Sequence, residues 1–200
     1  MMILVVGRSN CGKSALAEDL IIRMSEQDKR VYLATMVPYG DDGARRVKRH
    51  RALREGKNFV TVECARDIKN SVDADGYISG IKAAEATVLL ECAANLCANV
   101  MFADECNLDR PIDLQCVTDD VVNDILSLRD RVKDIVVVSD EYEEEENFDA
   151  QTVCYIKALS YINRRLKSMA DKTYDMTDGS IKVTEKSSKE IDKESDIHKE

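Results

Sequence analysis

Residues 2–14 read Met2-Ile3-Leu4-Val5-Val6-Gly7-Arg8-Ser9-Asn10-Cys11-Gly12-Lys13-Ser14. The uninterrupted apolar run up to Val6 is typical of a strand buried on both faces of a parallel sheet. Gly7 to Ser14 matches the pattern GxxxxGK[ST], and apolar residues then recur at helical spacing, at Leu16, Leu20, Ile21 and Met24. A strand, a glycine-rich loop and a helix in this order predict a P-loop, which binds nucleotide phosphates.

The predicted P-loop has a defined chemistry. Its glycines let successive backbone N–H groups face phosphate oxygens at the start of a helix. Lys13 would reach the β- and γ-phosphates, and the Ser14 hydroxyl would ligate Mg²⁺. The alternative interpretation is an ordinary glycine turn. The sequence contains no Asn-Lys-x-Asp segment that could select guanine, which disfavours a signalling GTPase.

Two carboxylates are candidates for the second metal ligand. Glu91 ends an apolar strand predicted at 87–90, and Asp140 closely follows a strand predicted at 135–138. Either could hold Mg²⁺ directly or through water, because Mg²⁺ prefers oxygen ligands. Either could also be a solvated carboxylate at a strand end.

Buried strands alternate with amphipathic helices along the chain. Strands are predicted at 31–34, 59–63, 87–90 and 135–138, and helices at 42–55, at 93–103, after Thr118 as N-cap, and at 155–169. Asp178-Gly179 between apolar residues predicts a closing C-terminal hairpin. This alternation predicts an α/β fold with a mainly parallel sheet flanked by helices.

The composition restricts the class of protein. The chain has 200 residues, of which 44% are hydrophobic and 34% charged, enough for one folded domain. Its net charge of −9 and pI near 4.9 oppose binding to a nucleic-acid backbone. We expect no membrane span and no secretory signal, because no apolar run approaches roughly 20 residues and Met1 precedes no basic region. Seven cysteines without a CxxC pair indicate reduced thiols and a cytoplasmic protein.

The end of the chain differs from the rest. The segment 184–200 has ten charged residues and two apolar ones, Ile191 and Ile197. We therefore predict a P-loop domain over 1–183 and a disordered, solubilising tail over 184–200. A partner-binding helix is the alternative for the tail.

A basic cluster lies between Arg45 and Arg54. Seven of its ten residues are Arg, Lys or His, although the whole chain is acidic. On a helix, Arg46, His50 and Arg54 would share one face. A neutral imidazole there could attack phosphorus while the guanidinium groups stabilise charge on the phosphoryl oxygens. The alternative is an exposed basic face with an incidental histidine.

Several short motifs follow the P-loop in a characteristic order. They are Tyr32-Leu33-Ala34-Thr35, Arg46-Val47-x-x-His50-Arg51, Thr61-Val62-Glu63-Cys64 and Val88-Leu89-Leu90-Glu91-Cys92. Their order and spacing resemble the bifunctional adenosylcobinamide kinase / adenosylcobinamide-phosphate guanylyltransferase family of cobalamin biosynthesis, from Met1 to about Val183. The resemblance implies a RecA-like P-loop NTPase fold and a homotrimer in which neighbouring subunits complete the sites.

The resemblance also implies a two-step activity. Such enzymes phosphorylate adenosylcobinamide with a nucleoside triphosphate, ATP or GTP, and then transfer GMP from GTP to that phosphate through a GMP-histidine intermediate. His50 matches the guanylylated histidine, so we predict His50 and Lys13 as catalytic and Ser14 and Glu91 as the Mg²⁺ ligands. The predicted nucleotide-binding residues are Gly7, Arg8, Ser9, Asn10, Cys11, Gly12, Lys13, Ser14, Ala34, Thr35, Met36, Arg51, Ala52, Leu53, Arg54, Glu63 and Glu91.

One segment departs from the family's pattern. Family members carry Asn-Glu and a Gly-rich, Pro-containing loop where this chain has Asp140-Glu141-Tyr142 followed by Glu143 to Glu146. This negative charge opposes anionic phosphates, although the run could also be a solvated acidic loop. Two alternative functions follow: a P-loop nucleotidyltransferase that acts on a different phosphorylated acceptor, and a non-catalytic nucleotide-binding regulatory protein with a degenerate acceptor loop.

Overall fold

The computed structural model describes residues 1–103, 112–143 and 147–186. These residues contain nine strands: β1 (Met2–Gly7), β2 (Arg30–Ala34), β3 (Val60–Glu63), β4 (Tyr77–Ile78), β5 (Ile81–Lys82), β6 (Thr87–Glu91), β7 (Asp134–Asp140), β8 (Lys172–Met176) and β9 (Lys182–Glu185). They also contain five α-helices: α1 (Lys13–Met24), α2 (Gly40–Arg54), α3 (Ala93–Met101), α4 (Leu114–Arg129) and α5 (Ala150–Met169). Strands and helices alternate, which confirms the predicted α/β class.

One seven-stranded sheet forms the centre of the protein. Its strand order is β3-β2-β6-β7-β1-β8-β9. Neighbouring strands run parallel from β3 to β8, and β8 and β9 form the antiparallel closing hairpin that the sequence predicts. Gly7 pairs with Asp140, and Glu91 with Val138, in the register of the sheet. The ends of β1, β6 and β7 therefore bring the P-loop and both candidate carboxylates to one edge.

The strand that leads into the P-loop is central and buried. All six residues of β1 are buried between β7 and β8. Ile21 of α1 is fully buried, and Leu16, Leu20 and Met24 pack against the same core, on the helix face that the sequence predicts. The core thus fixes both ends of the P-loop. Within the described residues, no helix is long and apolar enough to cross a membrane.

The start of α4 corrects one prediction. Thr118 is not the N-cap, because the helix begins at Leu114 and is capped by Asp113. The Asp113 carboxylate accepts hydrogen bonds from the backbone N–H groups of Gln115 and Cys116. Thr118 is buried in the second turn, where its hydroxyl donates to the Leu114 carbonyl at 2.7 Å. A hydrogen bond from the hydroxyl to the carbonyl four residues earlier allows a threonine inside a helix. Thr118 is thus of a residue type that favours N-caps, but it does not lie at the start of the helix.

The C-terminal strand runs slightly beyond the predicted domain end. β9 ends at Glu185, two residues after Val183, and the Lys186 N–H donates to the Asp171 carbonyl at 2.9 Å. Residues 187–200 lie outside the described residues. The domain boundary and the tail therefore stay predictions.

Candidate nucleotide site

A cavity of about 520 Å³ opens at the edge of the sheet where the parallel strands end. Ligands of open α/β sheets bind at this edge, because loops and helix N-termini converge there. The walls come from the P-loop, from the ends of β2, β6 and β7, and from α2 and α5. The predicted site residues that line it are Ser9, Asn10, Gly12, Lys13, Ser14, Ala34, Met36, His50, Arg51, Arg54, Glu63 and Glu91.

Two glycines set the course of the P-loop. Gly12 precedes α1 with a φ of 91°, in the left-handed region where other residues are strained. At Gly7 a side chain would not fit, because an added Cβ would lie 2.8 Å from Cys11 Sγ and 3.0 Å from Met176 Cβ. The chain can therefore turn directly from β1 into the N-terminus of α1, an arrangement that suits phosphate binding.

Lys13 connects the P-loop to the end of β7. Its ammonium group is buried, lies 2.7 Å from Asp140 Oδ1 and donates to the Arg8 carbonyl at 2.9 Å. The same two segments are joined by an ion pair between Arg8 and Glu143. The cations of the P-loop thus have carboxylate partners from the segment 140–143. Residues Glu144 to Glu146 of the acidic run lie outside the described part.

Glu91 and Ser14 form the second polar group of the cavity. The Ser14 hydroxyl donates to Glu91 Oε1 at 2.6 Å, while Glu91 Oε2 is buried without a hydrogen-bond partner among the described residues. Burial raises the pKa of Glu91 to about 7, although the Ser14 hydrogen bond and the charge of Lys13 oppose the rise.

These oxygens fit a magnesium ion. A hydroxyl and a carboxylate with one unsatisfied buried oxygen are the kind of ligands that this hard cation prefers. Within the described chain, no three His, Cys, Asp or Glu residues are grouped to hold a metal ion by themselves. The ion would therefore complete its coordination with water and nucleotide phosphates, as Mg²⁺ commonly does.

Helix α2 contributes basic residues to the wall of the cavity. His50 is half-buried and lines the cavity together with Arg49, Arg51 and Arg54. Arg51 is exposed and forms an ion pair with Glu63 of β3. Arg54 is only 8% exposed, and its guanidinium carbon lies 3.4 Å from the centroid of the Tyr32 ring. The fold thus brings the histidine and the P-loop to one cavity.

Some predicted nucleotide-binding residues do not line this cavity. Thr35 is fully buried, and its hydroxyl both donates to the Cys92 carbonyl and accepts from the Cys92 N–H, each at 2.8 Å. It therefore joins β2 to the end of β6. Ala52 is exposed beside a neighbouring cavity of about 480 Å³, and the Leu53 side chain lies outside the described part. The other predicted residues absent from the lining are Gly7, Arg8 and Cys11.

Sequence reasoning missed an aromatic part of the lining. The rings of Tyr142 and Tyr155 lie 6.2 Å apart, and the Tyr155 hydroxyl donates to the Ala94 carbonyl at 3.2 Å. Tyr155 begins the apolar stripe of α5, a pattern that indicates packing and gives no sign of a cavity. The lining residues missed in the sequence include Tyr32, Cys92, Asn95, Tyr142 and Tyr155.

Comparisons with known proteins show the family of the chain. A family model described as cobinamide kinase / cobinamide phosphate guanyltransferase matches residues 3–183. The chain belongs to this family. A curated relative of the cobinamide kinase family, the bifunctional adenosylcobalamin biosynthesis protein CobU of Salmonella typhimurium (strain LT2), is 34% identical over 103 residues, which are 52% of this chain and 51% of that protein. CobU of Escherichia coli (strain K12) is 33% identical over 102 residues, 51% of each chain. This chain spans about half the length of the curated relatives it matches.

A solved structure supports the fold of this cobinamide kinase family member. An ATPase from the type III secretion system of pathogenic bacteria aligns with a TM-score of 0.53 and 14% identity. The alignment covers 90% of this chain and 54% of that chain. Together with the parallel sheet and the P-loop, this likeness confirms the predicted RecA-like P-loop NTPase fold.

Proposed function

We propose that the protein phosphorylates adenosylcobinamide with ATP or GTP, and then transfers GMP from GTP to adenosylcobinamide phosphate through a GMP intermediate on His50. Membership of the cobinamide kinase / cobinamide phosphate guanyltransferase family supports both steps. The observation that carries the proposal is a single cavity lined by Lys13, Ser14 and Glu91 and also by His50 and the arginines of α2. Phosphorylation alone would not need a histidine among guanidinium groups.

In the kinase step the P-loop holds the triphosphate. Lys13 exchanges Asp140 for the β- and γ-phosphate oxygens, and backbone N–H groups at the start of α1 bind the same oxygens. The hydroxyl of the aminopropanol arm attacks the γ-phosphorus and releases its proton to water, the bond to the bridging oxygen breaks, and a nucleoside diphosphate leaves. Ser14 and Glu91 would hold Mg²⁺, which when bound supplies positive charge to the phosphate oxygens.

In the guanylyl step His50 is the nucleophile. An imidazole nitrogen attacks the α-phosphorus of GTP, a P–N bond forms, and pyrophosphate leaves. Arg51 and Arg54 stabilise the charge that develops on the phosphoryl oxygens. A phosphate oxygen of adenosylcobinamide phosphate then attacks the same phosphorus, the P–N bond breaks, and His50 is restored. Two half-reactions let GTP and the bulky acceptor use one site in turn.

The guanylyl step can be tested by labelling the protein with GTP. After incubation with Mg²⁺ and GTP radiolabelled at the α-phosphate, without acceptor, label should remain on the denatured protein and map to His50. The bond should be acid-labile and alkali-stable, as a phosphoramidate is. His50→Asn should lose the label and guanylyl transfer while it keeps phosphorylation of adenosylcobinamide. The other histidine of the chain gives the matched control, since His198→Asn should label like the wild type. Absence of label, or label on another residue, contradicts the mechanism.

A second candidate function is GMP transfer to a different phosphorylated acceptor. The observation that favours it is the acidic segment after β7, which lies against the P-loop through the Lys13–Asp140 and Arg8–Glu143 pairs. Adding adenosylcobinamide phosphate to the labelled protein decides between the two. Release of the label as GDP-linked corrinoid supports the first function, and retention of the label favours the second.

We further propose a cytoplasmic homotrimer. Val37 and Tyr39 are 57% and 93% exposed beside the cavity residues Met36 and Pro38, and a neighbouring subunit would cover this apolar surface. The six cysteines in the described residues are free, which suits a reducing compartment. Light scattering of the purified protein should give the mass of three chains, and the mass of one chain would contradict this assembly.

A further inference from the structure

Helix α2 carries His50 but contributes little to the core. Among the α2 residues whose burial the structure describes, only Gly43 and Arg54 are buried, and they lie near its two ends. A helix normally takes its position from an apolar face that packs on the core. Since few of its described side chains are buried along its length, α2 depends on contacts at its ends.

The C-terminal end of α2 is held by Lys57, which follows the helix closely. α2 ends at Arg54, and the Lys57 N–H donates to the Arg54 carbonyl at 3.1 Å. The Lys57 ammonium group forms an ion pair with Glu18 of α1. The Lys57 carbonyl accepts a hydrogen bond from Arg30 Nη1, at the start of β2, at 3.1 Å. The side chain and the backbone of one residue therefore join the end of α2 to two other elements.

Glu18 places this ion pair on the helix that begins at the P-loop. It is 5% exposed and lies four residues after Ser14, so the two side chains share one face of α1. Because Glu18 is buried, solvent screens the pair with Lys57 less than an ion pair at the surface. Breaking the pair would leave a buried carboxylate without its cation, which favours the closed contact. α1 thus carries the Ser14 hydroxyl at its start and the partner of Lys57 one turn later.

Arg30 ties the same point to the far end of α1. It is 7% exposed, and its Nη2 donates to the carbonyls of Ile22 and Ser25, each at 3.2 Å. These carbonyls lie at the C-terminal end of α1, where a cation is favourable. One guanidinium therefore caps α1 and holds the backbone of Lys57 against it.

We propose that Lys57 is a positioning residue of the guanylyl step, which holds the end of α2 against α1 and thereby sets the place of His50 relative to the P-loop. This inference rests on the proposed function, since it concerns how one cavity serves both steps. His50 lies about one helical turn before the end of α2, so a shift of that end moves the imidazole. A displacement of about 1 Å can slow a reaction about 100-fold. The kinase step does not use the histidine and should tolerate the shift.

Lys57→Met should separate the two steps. The rate of GMP transfer to His50 at saturating Mg²⁺-GTP should fall about 10- to 100-fold, because the imidazole and the α-phosphorus are no longer aligned. Phosphorylation of adenosylcobinamide, and the GTP concentration that gives half-maximal labelling, should stay within about threefold of the wild type, since the P-loop is unchanged. Rapid-quench labelling from GTP radiolabelled at the α-phosphate, and transfer from ATP radiolabelled at the γ-phosphate, measure the two rates. Equal losses in both steps would indicate a general loss of structure and overturn the proposal, as would unchanged labelling.

Conservative variants test the contact itself. Lys57→Arg keeps the positive charge and should label at close to the wild-type rate. Lys57→Gln keeps an N–H donor for Glu18 and should cost less stability than Lys57→Met. If Lys57→Met does not fold, Lys57→Gln should show the same separation of the two steps to a smaller extent. Labelling as slow in Lys57→Arg as in the neutral variants overturns the role of the ion pair.

The matched control is a lysine ion pair away from the nucleotide cavity. Lys29 Nζ lies 3.0 Å from Glu85 Oε2, and neither residue lines that cavity. Lys29→Met also removes a cation from a carboxylate, but it should leave both rates unchanged. Selective loss of His50 labelling in Lys29→Met would contradict a specific role of Lys57.

Hydrogen exchange separates this inference from the proposed function. In the ligand-free protein, Lys57→Met should speed the exchange of backbone amides in residues 49–58, while those of β1 and β7 exchange as in the wild type. Unchanged exchange in 49–58 overturns the anchor of α2. A wild type that takes no label contradicts the proposed guanylyl step, whereas faster exchange in Lys57→Met still supports the anchor. A wild type that takes label, with a Lys57→Met variant that labels equally fast, contradicts this inference alone.

Discussion

Among the described residues Lys13 has two partners, Asp140 Oδ1 at 2.7 Å and the Arg8 carbonyl at 2.9 Å. A bound nucleotide must replace the Asp140 carboxylate as the partner of Lys13. Part of its binding free energy is therefore used to break this ion pair. The exposed ion pair between Arg8 and Glu143 is weaker and costs less free energy to break, because solvent screens charges at the surface. The segment 140–143 therefore competes with phosphate for the P-loop.

Removing the charge of Asp140 should favour the nucleotide. Asp140→Asn keeps a similar shape but no longer pairs with Lys13, so affinity for nucleotide in excess chelator should rise about fivefold, or about 1 kcal/mol. Fluorescence titration with a labelled nucleotide measures this change. Glu143→Gln is the matched comparison and should have a smaller effect. A lower affinity in Asp140→Asn that appears only with Mg²⁺ would show instead that Asp140 is a metal ligand.

Glu91 should give the ligand-free protein a distinctive pH dependence. Its ordinary pKa is 4.5, and burial raises it to about 7 in the fold. Between these values the native state binds a proton that the unfolded state has lost, so the contribution of Glu91 to the free energy of unfolding falls as pH rises. Glu91→Gln removes this term. Between about pH 4.5 and about pH 7.5, the free energy of unfolding of the variant should therefore rise by about 3 kcal/mol relative to that of the wild type.

Urea unfolding in excess chelator at several pH values measures the difference between Glu91→Gln and the wild type. The titrations of all other groups are common to both proteins and cancel in that difference. A difference that is independent of pH would contradict the assignment of a raised pKa to Glu91.

At the scale of helices and strands, the sequence is most informative where an element is buried or amphipathic. β1, β6 and β7 are apolar runs, and α1 and α5 carry apolar stripes, so their positions could be predicted within a few residues. The start of α4 could not, because Asp113 follows a stretch without hydrophobic periodicity and Thr118 is equally good as a capping residue type. Long-range contacts decide such cases, and they are not visible in local patterns.

The residues of the candidate site also differ in how well the sequence predicts them. The P-loop is a local motif, so its residues could be identified directly from their spacing. Arg54 belongs to a helix that is basic almost throughout, and its sequence gives no sign that this one guanidinium is buried on Tyr32. Thr35 is a different case, because its hydroxyl bonds to the backbone of Cys92 and does not line the cavity, so its predicted nucleotide binding stays a prediction. Tertiary packing determines which side of an element faces the ligand.

The capping of α4 can be tested by substitution. Asp113→Ala removes the acceptor of two backbone N–H groups, with distances of 3.0 Å to Gln115 and 3.1 Å to Cys116. The free energy of unfolding should fall by about 1 kcal/mol, the usual loss of an N-cap. Asp120→Ala, an exposed change on the same helix, should stay within about 0.5 kcal/mol of the wild type. Equal effects of the two substitutions in urea unfolding would contradict the capping role.

At the scale of the whole molecule, the C-terminal hairpin is the outer edge of the sheet. β8 pairs with β1, the strand that carries the P-loop, and β9 pairs only with β8 in the described part. A chain that ends at Lys186 should keep its melting temperature and nucleotide affinity, because residues 187–200 include only two apolar side chains, Ile191 and Ile197. A chain that ends at Ser180 lacks β9 and should melt several degrees lower. Calorimetry on both chains measures this, and equal melting temperatures would contradict a stabilising role of β9.

Helix α2 is basic although the protein as a whole is acidic, and this distribution of charge favours small anionic ligands over large ones. The chain carries a net charge of −9, whereas Lys48, Arg49 and Arg51 of α2 are exposed at or near the cavity. A small anion such as a nucleoside triphosphate can approach this cationic entrance without meeting the rest of the surface. A long polyanion such as RNA also extends over the rest of the protein, whose net charge is negative, and is repelled there at physiological ionic strength. In a cell rich in nucleic acid, this layout keeps the entrance open for free nucleotides.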